Sequence, residues 1–270
     1  MQSDPLIEKA FAGRPLHDCL LIDAHGHIGA SAGGMDLDFP FVDPSLDGVI
    51  AGMDRIGINV RGINSIAGIN GDSDTGNRQV AHAMRAFPGR FFGYMTADIA
   101  YPDTIVPTLD TAYAWGLRGI KIWSGGGHPS YLPYHHENCD LVYAFADRHA
   151  LPILTHTWGA ELDQLEPAIR KYPNVNWLMG HSGATEEEKY IRFARDYPTV
   201  YLELCWSQAP RGLVERFAAA GILDKLVWGS DAIFMSDAHQ IGRVVFAQIS
   251  YEDKVKILGL KAQRALRLAS

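Results

Sequence analysis

Eight short apolar runs recur along the chain, each bounded by turn residues, and segments with helical apolar spacing fill the intervals between them. The runs are CLLIDAH (19–25), NVRGINSI (59–66), FFGYMTA (91–97), LRGIKIW (117–123), LPILTHT (151–157), VNWLMGH (175–181), VYLELCW (200–206) and KLVWGSD (225–231). Nearly continuous apolar strands are what a parallel sheet covered on both faces requires. Helical patterns such as DGVIAGMDRIGI, ELDQLEPAIRKYP and YEDKVKILGLKAQRALRLA alternate with them. Pro88, Pro173 and Pro198 follow helical patterns that they cannot continue, and Gly57, Gly116 and Gly221 suit left-handed C-terminal positions. Eight βα units close into a (β/α)8 TIM barrel, and 270 residues fit one such domain spanning 1–270. An open doubly wound sheet would want a glycine-rich turn after the first strand, and AHGHIG lacks the G-x-G-x-x-G spacing.

Charge narrows the partners. A net charge of −7, with no run of Lys or Arg, gives nucleic acid or an anionic membrane little to attract. The N-terminal stretch has no basic region followed by an apolar one, and no segment approaches the apolar length of a membrane span, so the expected address is cytoplasmic. Three cysteines without C-x-x-C spacing argue against a disulfide framework and a Cys-based zinc site. Cys205 ends an apolar run, as a buried structural thiol or as part of a pocket wall.

The stretch LIDAHGHIG carries the chemistry. Residues at i and i+2 on a strand share a face, so Asp23, His25 and His27 are expected to project together from the end of the first strand. Other strand ends supply Lys121, His156, His181 and Asp231. Polar residues at the C-terminal ends of barrel strands read as catalytic, and imidazoles with a carboxylate suit a divalent metal. Histidines standing alone, His17, His82, His149 and His239, read as structural. Trp123, Trp158, Trp206 and Tyr131 fall at or beyond strand ends and suggest aromatic walls for a ring-bearing small-molecule substrate. Arg211 either holds a substrate carboxylate or forms a surface ion pair, and His128, His135 and His136 lie in a loop that could contact substrate. The irregular stretch 30–45 could act as a lid, and 124–138 is the second such loop. Glu203 sits deep enough to need a partner, and Asp23 either orients an imidazole or caps backbone.

IDAHGHIG, GIKIW, ILTHTWG, MGHSG and VWGSDA, in that order, resemble the amidohydrolase superfamily, particularly its amidohydrolase-2 branch of metal-dependent barrel hydrolases and decarboxylases. The resemblance implies that His25, His27 and His156 bind metal, and that Asp231 binds metal and handles the proton of an attacking water. It makes His181 either a second-metal ligand or a group that steadies the transition state. Lys121 matches a lysine that is carbamylated to bridge two ions in some members, or else stays an ammonium that binds a substrate carboxylate. The implied cofactor is a divalent ion, zinc first, with manganese, iron and cobalt as alternatives, in one or two copies. The implied activity is hydrolysis of an amide, ester or lactone; the alternative is decarboxylation of an aromatic or unsaturated acid. A barrel that only binds a ligand would not need so many aligned ligand positions. Assembly as a homo-oligomer is a further expectation from the branch.

Overall fold

The computed structural model describes residues 4–29, 43–124, 132–205 and 210–269. Eight strands run in chain order: β1 (Ile22–Ile28), β2 (Val60–Ser65), β3 (Phe91–Met95), β4 (Gly119–Ile122), β5 (Pro152–His156), β6 (Asn176–Gly180), β7 (Val200–Glu203) and β8 (Leu226–Val227). Each pairs parallel with the next. Closure comes from the segment after β8, where Ala24 N–H donates to Trp228 O at 3.0 Å and Gly26 bridges Ala232. The result is the expected (β/α)8 barrel, and among the described residues no helix is long and apolar enough to cross a membrane.

Helices cover the outside, and the apolar runs supply both layers. Ile63, Met95, Ile120, Ile153, Met179 and Leu202 face outward into the large cluster beneath the helices. Ile22, Ala24, Phe92, Tyr94, Leu154, Leu178, Tyr201 and Val227 fill the interior, with Ala262 and Ala265 of the last helix and Leu266 just beyond it closing one end. That apolar floor leaves the opposite end, where the strands terminate, for polar groups.

Three departures from the sequence expectations matter. A helix spans Pro102–Ala114, where Pro102 and Pro107 mask its pattern; Pro102 fits because a first-turn proline gives up no hydrogen bond. A further helix, Asp237–Val245, follows β8. β8 itself has only two ladder residues, because the chain beyond Val227 turns toward β1 instead of following β7.

The last helical run, Tyr251–Ala265, includes a π turn at Lys256–Leu260. There Gly259 packs against the backbone of Leu20, and a Cβ would overlap the Leu20 carbonyl oxygen. Gly259→Ala is therefore expected to cost about 1–3 kcal/mol, since overpacking forces backbone to shift; a denaturant midpoint equal to that of the unaltered chain would contradict this.

Candidate metal centre

β1 carries one irregularity that builds the site. Its register with β2 shifts between Asp23 and Gly26, inserting an extra residue. Such a bulge re-aims the side chains beyond it. Ile22 and Ala24 lie in the interior cluster, yet His25 and His27 also turn inward at the mouth. Asp23 does not share their face, contrary to the i, i+2 expectation. It faces the helical layer, where it accepts Arg61 Nε at 2.7 Å, Ser230 N–H at 2.9 Å and His25 N–H at 3.1 Å. Arg61 is buried and donates its other arm to Asp237 at 2.5 Å. Of the two roles open to Asp23, backbone capping is the one realised.

His25 Nε2 and His27 Nε2 lie 3.6 and 2.9 Å from Asp231 Oδ1, and the three buried residues offer ligand atoms within 4.8 Å of one another. Both rings are held from behind. His25 Nδ1–H donates to Glu203 Oε2 at 2.9 Å, and His27 Nδ1–H donates to Asn64 Oδ1 at 2.5 Å. With the proton committed at Nδ1, each neutral ring presents an Nε2 lone pair. Two lone-pair atoms such as His27 Nε2 and Asp231 Oδ1 repel unless a proton or a cation lies between them. The donor set thus fits a divalent ion, in type and in orientation.

Local backbone supports this placement. Asp231 and His181 both adopt left-handed conformations, φ 55° and 62°, which side-chain-bearing residues visit rarely and chiefly where surrounding structure compels them. Asp231 N–H donates to His25 O at 2.7 Å, fixing the carboxylate against β1. Glu203 reaches His25 because residue 229 is glycine; a Cβ there would lie 2.8 Å from His25 Cβ and overlap the carboxylate.

Electrostatics follow from burial. Burial pushes the Asp231 carboxyl upward, but the imidazoles of His27, His25 and His181 gathered around it outweigh burial and bring it down to about 2. Burial holds His25 and His156 well below the usual imidazole range, helped at His25 by the Lys121 charge and at His156 by His181. Lys121 is lowered by burial, against the attraction of Asp231. Its Nζ lies 3.1 Å from His25 Nε2.

His156 and His181 stand beside the triad, outside the group of ligand atoms that includes His27 and Asp231. The His181 ring is 5.2 Å from that of His25 and 4.4 Å from that of His156. Trp123 stacks on His156 and Trp158 on His181, with centroids 5.0 and 5.1 Å apart. These four rings form an aromatic wall over the β4–β6 side of the mouth. Arg211 is exposed and lines a surface groove with Glu215, His239 and Phe246 that none of the triad enters. His136 caps the helix Glu137–Arg148 and His135 is exposed, so neither joins the cluster. Trp206, Tyr131, His128 and most of the two long loops lie outside the described residues.

Sequence reasoning passed over Asn64, Arg61 and the contacts of Cys205. Asn64 and Arg61 did leave a sign, as polar residues inside an otherwise apolar run. Their roles depend on partners far away in the chain.

Two imidazoles and a carboxylate converge at the C-terminal mouth of a (β/α)8 barrel, where barrel enzymes place their active sites, in a group able to hold a divalent ion. The chain belongs to the amidohydrolase family, whose model matches residues 22–268. Among solved structures, it is similar to 2,6-dihydroxybenzoate decarboxylase from Rhizobium at 14% identity and TM-score 0.73, covering 93% of this chain and 99% of that one. It is also similar to 5-carboxyvanillate decarboxylase from Novosphingobium aromaticivorans, complexed with manganese and 4-hydroxy-3-methoxy-5-nitrobenzoic acid, at 16% identity and TM-score 0.72, covering 94% and 97%. A third, dihydroxybenzoic acid decarboxylase from Polaromonas with bound manganese and 2-nitroresorcinol, matches at 16% identity and TM-score 0.72, covering 93% and 97%. No curated protein matches the chain.

Proposed function

We propose that the protein is a metal-dependent decarboxylase of a small aromatic or unsaturated carboxylic acid. This replaces hydrolysis, the first expectation from the sequence, with its alternative. The observation that carries the reading is Lys121, 4% exposed, with Nζ 3.1 Å from His25 Nε2 at the edge of a ligand group suited to one ion. A buried ammonium needs an anion. Asp231 meets part of that need, and a substrate carboxylate would meet the rest. A two-ion hydrolytic site would instead need a carbamylated Lys121 and ligation by His156 and His181, and these two histidines pack against tryptophans. The three solved decarboxylases described above lend the same reading support, and two of them hold manganese beside ring compounds.

A divalent ion, manganese or zinc, held by His25, His27 and Asp231 would supply fixed positive charge for the carboxylate and a neighbouring oxygen. Within the chain, the Trp123–His156 and Trp158–His181 stacks give a planar substrate a flat wall and keep water from that side. Loss of carbon dioxide requires a proton at the carbon that held it. In this reading, for a ring acid bearing a hydroxyl, Asp231 takes a proton from that hydroxyl as the substrate binds and returns it to that carbon; the C–C bond then breaks, its electron pair re-forms the ring, and solvent reprotonates the oxygen. His181 steadies the charge that develops on the substrate.

Metal content per chain, measured on protein purified without chelator or affinity-tag nickel, tests the reading together with release of carbon dioxide from hydroxybenzoates. One equivalent is expected, retained in Lys121→Ala, while that variant loses affinity for the acid. Two equivalents falling to one or none in the variant would return hydrolysis to first place.

A further inference from the structure

Cys205 is fully buried and touches three groups of the centre at once. Its backbone N–H donates to Glu203 Oε1 at 2.6 Å and its thiol donates to Glu203 Oε2 at 2.9 Å, so one residue grips both carboxylate oxygens. Its carbonyl accepts His181 Nδ1–H at 3.0 Å. Its sulfur lies 3.2 Å from His25 Nδ1 and 3.3 Å from His181 Nδ1, between two rings whose centroids are 5.2 Å apart. Glu203 Oε2 is also the atom that accepts His25 Nδ1–H.

We infer that Cys205 is a positioning residue of the metal centre, setting the ring orientations of His25 and His181 jointly through Glu203 and its own sulfur. Without the thiol, Oε2 would keep only His25 Nδ1–H and a long contact from the His181 N–H at 3.4 Å, and the carboxylate could turn about its terminal torsion and carry the acceptor for His25 with it. Clamped at both oxygens, it fixes which nitrogen of His25 carries the proton and where Nε2 points. The same sulfur packs the space between the rings, so neither imidazole can tilt without meeting it. Nothing in this role requires the thiol to react. The inference rests on the proposed reading of His25 as a metal ligand.

The test compares the unaltered chain with Cys205→Ala and Cys205→Ser. Two properties are read: cobalt(II) affinity and visible absorption during titration of metal-free protein, and the imidazole nitrogen resonances of His25 and His181 in the metal-free state. Cys205→Ala is expected to weaken cobalt binding roughly 10–100-fold, as loss of a partner behind a ligand does, to change the absorption band and to move both sets of resonances. Cys205→Ser, which keeps a donor toward Glu203, should recover most of the affinity and the native resonance pattern. If Cys205→Ala does not fold, Cys205→Val takes its place, filling the space without a donor. Native affinity, band and resonances in the donor-less variant would overturn the inference. So would a lower melting temperature in both variants with metal binding unchanged, which is what a merely structural residue gives. If the unaltered chain binds no cobalt, the metal reading fails, and the resonances still decide the matter: shifted in Cys205→Ala and restored in Cys205→Ser supports positioning, unmoved overturns it.

Discussion

Asp231→Asn is expected to lower turnover of the acid by about 10⁴-fold, the upper end of what a positioned acid–base group contributes. The carboxylate has two tasks in the proposed chemistry, as a ligand with His25 and His27 and as the carrier of the proton that replaces carbon dioxide. Asparagine keeps the shape and tolerates the left-handed backbone at φ 55°, so the fold should persist. It cannot carry the proton, and it leaves His27 Nε2 facing a neutral amide where it now faces Oδ1 at 2.9 Å. Turnover should be measured at metal concentrations that saturate the variant, with circular dichroism as the control for folding. A loss of less than about tenfold under those conditions would remove Asp231 from the acid–base role, given the usual size of such effects.

The second large effect is on stability. Arg61→Met is expected to cost about 3–5 kcal/mol, the usual result of removing one partner from a buried ionic network. Arg61 is 1% exposed and bridges Asp23 and Asp237, so its loss leaves Asp23 buried without its cation. The deficit should depend on pH. Burial, with the nearby Asp237 charge, already raises Asp23 to about 6 against the pull of Arg61. A carboxyl raised in the folded state binds its proton more tightly there than in the unfolded chain, so its effect on stability is favourable at low pH and is lost as pH rises through about 6. Without Arg61 the ionised form loses its compensating charge. The stability gap between the variant and the unaltered chain should therefore be small near pH 4, where unfolded carboxyls protonate, and widen toward neutrality. Urea denaturation at several pH values reads this directly, and a gap constant across that range would show that Arg61 contributes packing rather than charge.

Much of the barrel was readable because its strands are covered on both faces, which turns each into an apolar run with a polar end. Where the physics was local, the reading held: each of the eight runs overlaps a strand, β1 continuing three residues past its run to Ile28. His25, His27 and Asp231 lie together because polar strand ends of a closed barrel share one mouth. The helix Pro102–Ala114 escaped because Pro107 interrupts a pattern that tertiary packing nonetheless completes. Asp23 was assigned to the wrong face because an alternation rule has no way to register one extra residue in a strand. Arg61 and Asp237, 176 positions apart, meet only once the barrel closes, and no spacing rule reaches that far. Arg211 follows a strand as the mouth residues do, yet it is exposed over a surface groove, since position after a strand does not say which way a loop turns.

The two sides of the ligand triad come from the first strand and from the segment that follows the last, with 204 positions between His27 and Asp231. On a ribosome adding about 5–20 residues each second, His27 is added to the chain about 10–40 s before Asp231. During that interval the nascent chain carries two imidazoles with no carboxylate to complete their set. The candidate ligand group is thus completed only at the final closure of the barrel, and a chain released early would leave the ribosome without the site.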